Sequence, residues 1–141
     1  MTPQEFAKRY PNFDYKKLAC KCGKCGPETG LKMDPDFMDK MQTIRTRLGA
    51  AMVETSGYRC PNHPEERKKS QPGAHATGHA MDVTVANKSL CDKVVDEAYN
   101  VGMTGKGIKA KNGTQDRPMI HLDDINTKQY PHISRPMLWT Y

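Results

Sequence analysis

GAHATGHAMDV, residues 73–83, changes character halfway along. Its first half is small residues, glycine and histidine, which read as loop. From Ala80 the run AMDVTV alternates apolar and polar positions to Val85, the signature of a strand. Within it His75, Gly78, Ala80 and Asp82 form the pattern HxxGxAxD. Physically, a His enters from the loop, a Gly lets the backbone turn closely past a bound ion, and an Asp on the strand supplies an oxygen ligand. A third ligand must come from elsewhere. His121 lies in a second strand, Met119 to Asp123, on the face opposite Ile120 and Leu122. A His, Asp, His set leaves one coordination position open, which suits a catalytic rather than a structural zinc. On spacing alone, however, the plainer reading of three ordinary surface or core-satisfied side chains outweighs this one.

Working outward, Thr2, Pro3 and Glu5 have capping-box spacing with Pro at the first helical position, so a short helix is expected from Pro3 to about Arg9. Cys20 to Gly30 is punctuation that holds a CxCxxC cluster in a tight loop. Asp34 and Pro35 open a second helix, along which Phe37, Met38, Met41, Ile44 and Leu48 recur at helical spacing until Gly49. Met52 to Arg59 reads as a strand, and the polar stretch from Cys60 to Ala74 as a surface loop. Ser89 is expected to cap a third helix carrying Leu90, Val94, Val95, Ala98 and Val101. Gly102 to Gly113 reads as a hairpin or flexible loop. These elements give an α+β domain spanning residues 1–141, a small mainly antiparallel sheet with two to three packed helices and the metal site at the sheet edge.

At 141 residues the chain can bury about two-thirds of its unfolded surface in one core. Its 36% hydrophobic content and mean hydropathy of -0.81 exclude a helical membrane protein. The net charge of +6 favours an anionic partner, although charge alone does not choose among nucleic acid, lipid phosphate and the polymers of a bacterial envelope.

Four segments supply a stronger guide, and they occur in a fixed order: the Cys- and Gly-rich opening from Cys20 to Gly26, SGYR at 56–59, HxxGxAxD at 75–82, and IHLD at 120–123. The ending RPMLWTY, 135–141, adds an Arg-Pro and Trp-x-Tyr close. With these the chain resembles the zinc D-alanyl-D-alanine carboxypeptidase and L-alanyl-D-glutamate peptidase family, whose fold is shared with the Hedgehog signalling domain. The resemblance implies that His75, Asp82 and His121 bind Zn2+. It implies that Arg59 faces the same cleft, where a fixed guanidinium holds a substrate carboxylate or a developing oxyanion. Asp123 would orient a ligand histidine through its other ring nitrogen. Relatives place a proton-carrying residue shortly before the third ligand, where this chain has Pro118 and Met119. Asp116 is then the nearest candidate general base, and it reads equally well as a turn or surface ion-pair residue. Gly73 stands where relatives usually have Ser, and His79 reads as a bystander.

The function implied is hydrolysis of an amide bond in the peptide stem of bacterial peptidoglycan. The opening MTPQEFAKRYPNF lacks the features of a secretory leader, and with the basic charge this suggests a phage-type lytic enzyme, an endolysin. Such a protein would be monomeric, held in the host cytoplasm until released, and would act in the periplasm or cell wall against the anionic envelope. Alternatives are a bacterial D-Ala-D-Ala carboxypeptidase of wall turnover and a non-catalytic zinc-containing binding module. Nucleic acid is not an expected partner, because the aromatic interleaving that stacks bases is missing. Cys20, Cys22, Cys25 and Cys60 either bind a second metal or form a reduced cluster tying the N-terminal loop to the SGYR strand, and Cys91 belongs to the core.

Overall fold

The computed structural model describes residues 1–110 and 117–141. The capping box forms as expected: Glu5 N–H donates to Thr2 Oγ1, Thr2 N–H donates to Glu5 Oε2, and α1 runs Pro3–Arg9. Asp34 caps α2, Pro35–Leu48, by accepting from Phe37 N–H at 2.9 Å, and Gly49 ends it in the left-handed conformation. Phe37, Met38, Met41 and Ile44 are fully buried along one stripe. Burial of each contributes about 1.5–3 kcal/mol, so this stripe is a principal anchor of the core.

The sheet has five strands in the order β1-β2-β4-β3-β5: β1 Val53–Ser56, β2 Ala80–Thr84, β3 Gly105–Lys109, β4 Met119–Asp123 and β5 Met137–Thr140. Three pairings are antiparallel, and β3 with β5 is parallel. The α+β, mainly antiparallel architecture is therefore the one expected. β2 and β4 pair with Met81 opposite Leu122, Asp82 opposite His121 and Val83 opposite Ile120. Because side chains alternate, Met81, Val83, Ile120 and Leu122 all project to one face, where they join the core with α2 and with α4, Lys88–Asn100. Asp82 and His121 project together to the other face.

Several local expectations need correction. The cap of α4 is Asn87, not Ser89: Asn87 Oδ1 accepts from Leu90 N–H at 2.9 Å, one turn earlier than the apolar periodicity begins. The segment after Gly102, read as hairpin or loop, contributes strand β3, and residues 111–116 lie outside the described part. The strand expected from Met52 to Arg59 closes at Ser56. A one-turn helix α3, Pro64–Arg67, interrupts the polar stretch that follows, and 3-10 turns occupy Pro27–Lys32 and Ala74–Thr77. β5 has no counterpart among the strands expected from the sequence. Finally, β2 and β4 are interior strands, so the predicted metal site lies on the face of the sheet and not along an edge strand.

Candidate metal centre

His75 reaches the sheet from the 3-10 turn Ala74–Thr77, in the long excursion between β1 and β2. Gly78 ends that turn with φ +79, and a Cβ there would lie 2.5 Å from the Lys32 carbonyl oxygen. Both the backbone conformation and the close approach therefore require glycine. The Gly78 carbonyl accepts from Asp34 N–H at 3.0 Å, which locks the turn to the start of α2.

Three side chains converge over the sheet. His75, Asp82 and His121 each offer one ligand atom, and these atoms lie within 4.8 Å of one another. All three residues are buried. His75 Nε2 is 3.3 Å from Asp82 Oδ1, and His121 Nδ1 is 2.9 Å from the same oxygen.

The orientation of both rings is set from behind. His75 Nδ1 lies 2.7 Å from the Gly57 carbonyl oxygen, which only accepts, so that nitrogen carries a proton and Nε2 is the one directed at Asp82. His121 Nε2 lies 2.7 Å from Asp123 Oδ2, so it too carries a proton, and Nδ1 is the nitrogen directed at Asp82. Asp123 is fully buried and itself clamped by Arg135, whose Nε donates to Oδ1 at 2.9 Å and Nη2 to Oδ2 at 2.7 Å. In the neutral rings two imidazole lone pairs would face one carboxylate oxygen, an arrangement relieved by protons on those nitrogens or by a cation held among the three atoms. Tetrahedral zinc with bonds of about 2.0–2.1 Å separates its ligand atoms by about 3.3 Å. The donor set and its spacing fit that ion.

Titration follows the same geometry. Burial alone would raise the Asp82 carboxyl, but hydrogen bonds with His121 and His75 overcome it and hold the group well below the usual carboxylate range. Burial likewise opposes charge on His121, yet Asp123 and Asp82 outweigh it and raise its pKa. Asp123, raised by burial, is pulled well below its ordinary value by Arg135 and His121.

Of the other residues expected at the site, Arg59 is present: its Nη2 lies 3.5 Å from Asp82 Oδ2 and 3.2 Å from Ser56 Oγ. Its Nε is buried without a hydrogen-bond partner among the described residues. Arg59 N–H donates to the His75 carbonyl, coupling the two segments. Asp116 lies outside the described residues. His79 is not among the three converging residues and pairs with Asp124 through Nδ1 at 2.8 Å.

Arg135, Trp139 and two glycines are parts of the site that sequence reasoning did not assign. Trp139 packs beside the His121 ring, centroids 5.3 Å apart, and beneath the Arg135 guanidinium, 5.0 Å away. Gly107 sits opposite both His121 and Trp139, and a Cβ there would come within 2.5 Å of the indole. A Cβ on Gly105 would come within 2.3 Å of the Asp123 carboxylate. β3 carries glycine at alternate positions because its site face must leave room for both groups. The signal was available in the alternation of GKGIK and in the Arg-Pro and Trp-x-Tyr ending.

The family model described as Peptidase M15 matches residues 11–123. The matched span contains Arg59, His75, Asp82, Asp116, His121 and Asp123, and stops short of Arg135 and Trp139. No curated protein and no solved structure matched the chain.

Proposed function

Because the chain belongs to the Peptidase M15 family, we propose that it is a zinc-dependent peptidase that hydrolyses an amide bond in the peptide stem of bacterial peptidoglycan. The observation that carries this reading is the orientation of the two histidines, each with one nitrogen committed to an acceptor behind it and the other directed at Asp82 Oδ1. His75, Asp82 and His121 would hold Zn2+, with Asp123 fixing the tautomer of His121 and Arg135 keeping Asp123 charged. Zinc bound there would supply Lewis-acid activation of a water and polarisation of the scissile carbonyl.

The chain's own residues divide the remaining work. Arg59, anchored on Asp82 and Ser56, offers N–H groups to a stem-peptide carboxylate or to negative charge developing on the attacked carbonyl oxygen. Asp116 would accept the proton of the attacking water and return it to the leaving amine. Trp139, packed beside the His121 ring, would shield one side of it from water.

Within this chemistry we favour a phage-type lytic enzyme over a housekeeping carboxypeptidase. The net charge of +6 supports accumulation on an anionic envelope, and lytic action requires such contact with the intact wall. On this reading the protein works as a single peptidase domain, is stored in the host cytoplasm, and acts once released to the wall.

Digestion of purified peptidoglycan by chelator-treated and zinc-restored protein, read by mass spectrometry alongside the turbidity of permeabilised cells, tests the proposal. New amino and carboxyl termini at one stem-peptide bond, dependent on zinc and accompanied by clearing, are expected. Release of terminal D-Ala without clearing would replace the lytic role with carboxypeptidase action. No cleavage by zinc-restored protein would replace the enzyme with a binding module.

A further inference from the structure

Four of the five cysteines converge at a second place, remote in chemistry from the histidine cluster. The sulfurs of Cys20, Cys22, Cys25 and Cys60 all lie within 4.8 Å of one another, whereas Cys91 stands apart in the core. All are free thiols. Zinc–sulfur bonds of about 2.3 Å place the sulfurs of a tetrahedral site about 3.8 Å apart, and Cys22 and Cys25 are 3.5 Å apart. Disulfides would satisfy sulfurs in pairs; here each sulfur faces the other three.

The surrounding backbone is arranged for thiolates. Lys24 N–H points at Cys22 Sγ from 3.4 Å, and Cys60 N–H at Cys20 Sγ from 3.3 Å. Such amide donors stabilise negative sulfur and fix its lone-pair direction. Gly23, with φ +88, makes the turn that brings the two ends of CGKC to one point. Cys20 N–H is held by Thr29 Oγ1 at 3.0 Å, and that hydroxyl in turn donates to the Gly26 carbonyl, so the loop closes on itself around the sulfurs.

We infer that Cys20, Cys22, Cys25 and Cys60 form a structural zinc site that fastens the loop at 20–25 to the end of the segment carrying Arg59. Four sulfurs close the coordination sphere and leave no position for substrate, which distinguishes this centre from a catalytic one. Its position explains what it would stabilise. Tyr58 N–H donates to the Leu18 carbonyl, the Gly57 carbonyl orients His75, and Arg59 reaches Asp82, so residues 57–60 connect the cysteine cluster to the histidine cluster. Loading releases the thiol protons, and the metal's binding energy is added to the stability of this junction. The inference stands on the cysteine geometry and does not depend on the peptidase reading.

The test is metal analysis of the full chain, purified under reducing conditions, together with the absorption spectrum of its cobalt-substituted form. Wild type is expected to bind two zinc equivalents per chain, and the His75→Ala/His121→Ala double variant one. Cobalt in that variant is expected to give strong near-ultraviolet thiolate-to-cobalt charge-transfer bands, and its four clustered cysteines should resist thiol reagents until a chelator is added. Cys22→Ser/Cys25→Ser should lose this equivalent and the bands. If that variant fails to fold, the wild-type cobalt spectrum decides. Absence of the thiolate bands in wild type, with the four cysteines reacting freely before chelation, would overturn the inference.

Discussion

The two faces of the sheet use the same strands for opposite purposes. On the face toward α2 and α4, Met81, Val83, Ile120 and Leu122 are fully buried among apolar side chains, and contact area is what matters. On the other face, one residue along each strand, Asp82, His121 and Asp123 are almost as buried, yet nearly every polar atom among them has a directed partner. Burial on the first face is stabilising by itself; on the second it costs desolvation that only paired charges and hydrogen bonds offset. A single period-2 alternation in AMDVT and MIHLD separates stability from chemistry.

Substitutions that affect the chemistry and spare the core, or the reverse, should sharpen that division, and the largest effects belong to the proposed chemistry. Asp116→Asn is expected to lower the rate of stem-peptide cleavage by about 10²–10⁴-fold while leaving bound zinc and thermal stability unchanged; stability and rate falling together would assign Asp116 to structure. On the apolar side, Ile44→Ala removes a fully buried side chain from α2 and should cost about 2–5 kcal/mol in denaturant unfolding, with the cleavage rate of the folded fraction retained. Asp123→Asn keeps the shape but removes the charge that fixes His121, and should cost about 10–100-fold in zinc affinity or activity. A loss confined to stability would mean that Asp123 serves only to satisfy Arg135.

A smaller effect comes from the margin between the faces, where His79 pairs with Asp124 and Lys40 of α2 binds the same carboxylate at 2.8 Å. The Asp124 hydrogen bond raises the His79 pKa above its ordinary 6.5, with burial opposing it. A raised folded-state value makes this stabilisation complete below pH 6.5 and lost as pH rises through the folded value. His79→Ala should therefore lose most stability relative to wild type in mildly acidic solution and progressively less toward alkaline pH, as read by thermal melts across that range. A pH-independent difference would assign the effect to packing alone.

How much of this was legible in the sequence follows from the same contrast. α1 and α2 were readable because caps and apolar periodicity act locally, and β2 and β4 because their alternation is regular. β3 was not recognised as a strand because GKGIK carries two glycines, which have low strand propensity; their value lies in the space they leave for Asp123 and Trp139, a tertiary cause. The association of His75, Asp82 and His121 rested on resemblance, since no local rule brings a loop and two strands together. The Gly57 carbonyl that orients His75 is a backbone atom and leaves no residue signature. Arg135 reaches Asp123 from a connection beyond β4; the Arg-Pro ending singles out the residue, but no local rule says which carboxylate it meets.

The most direct measurement is the rate of stem-peptide cleavage as zinc is added back to chelator-stripped wild type and to Asp82→Asn. Recovery of the wild type, with the variant inactive over the same zinc range, is what the proposed ligand set predicts. Recovery of Asp82→Asn with the wild-type zinc dependence would contradict it and move the catalytic metal elsewhere in the molecule.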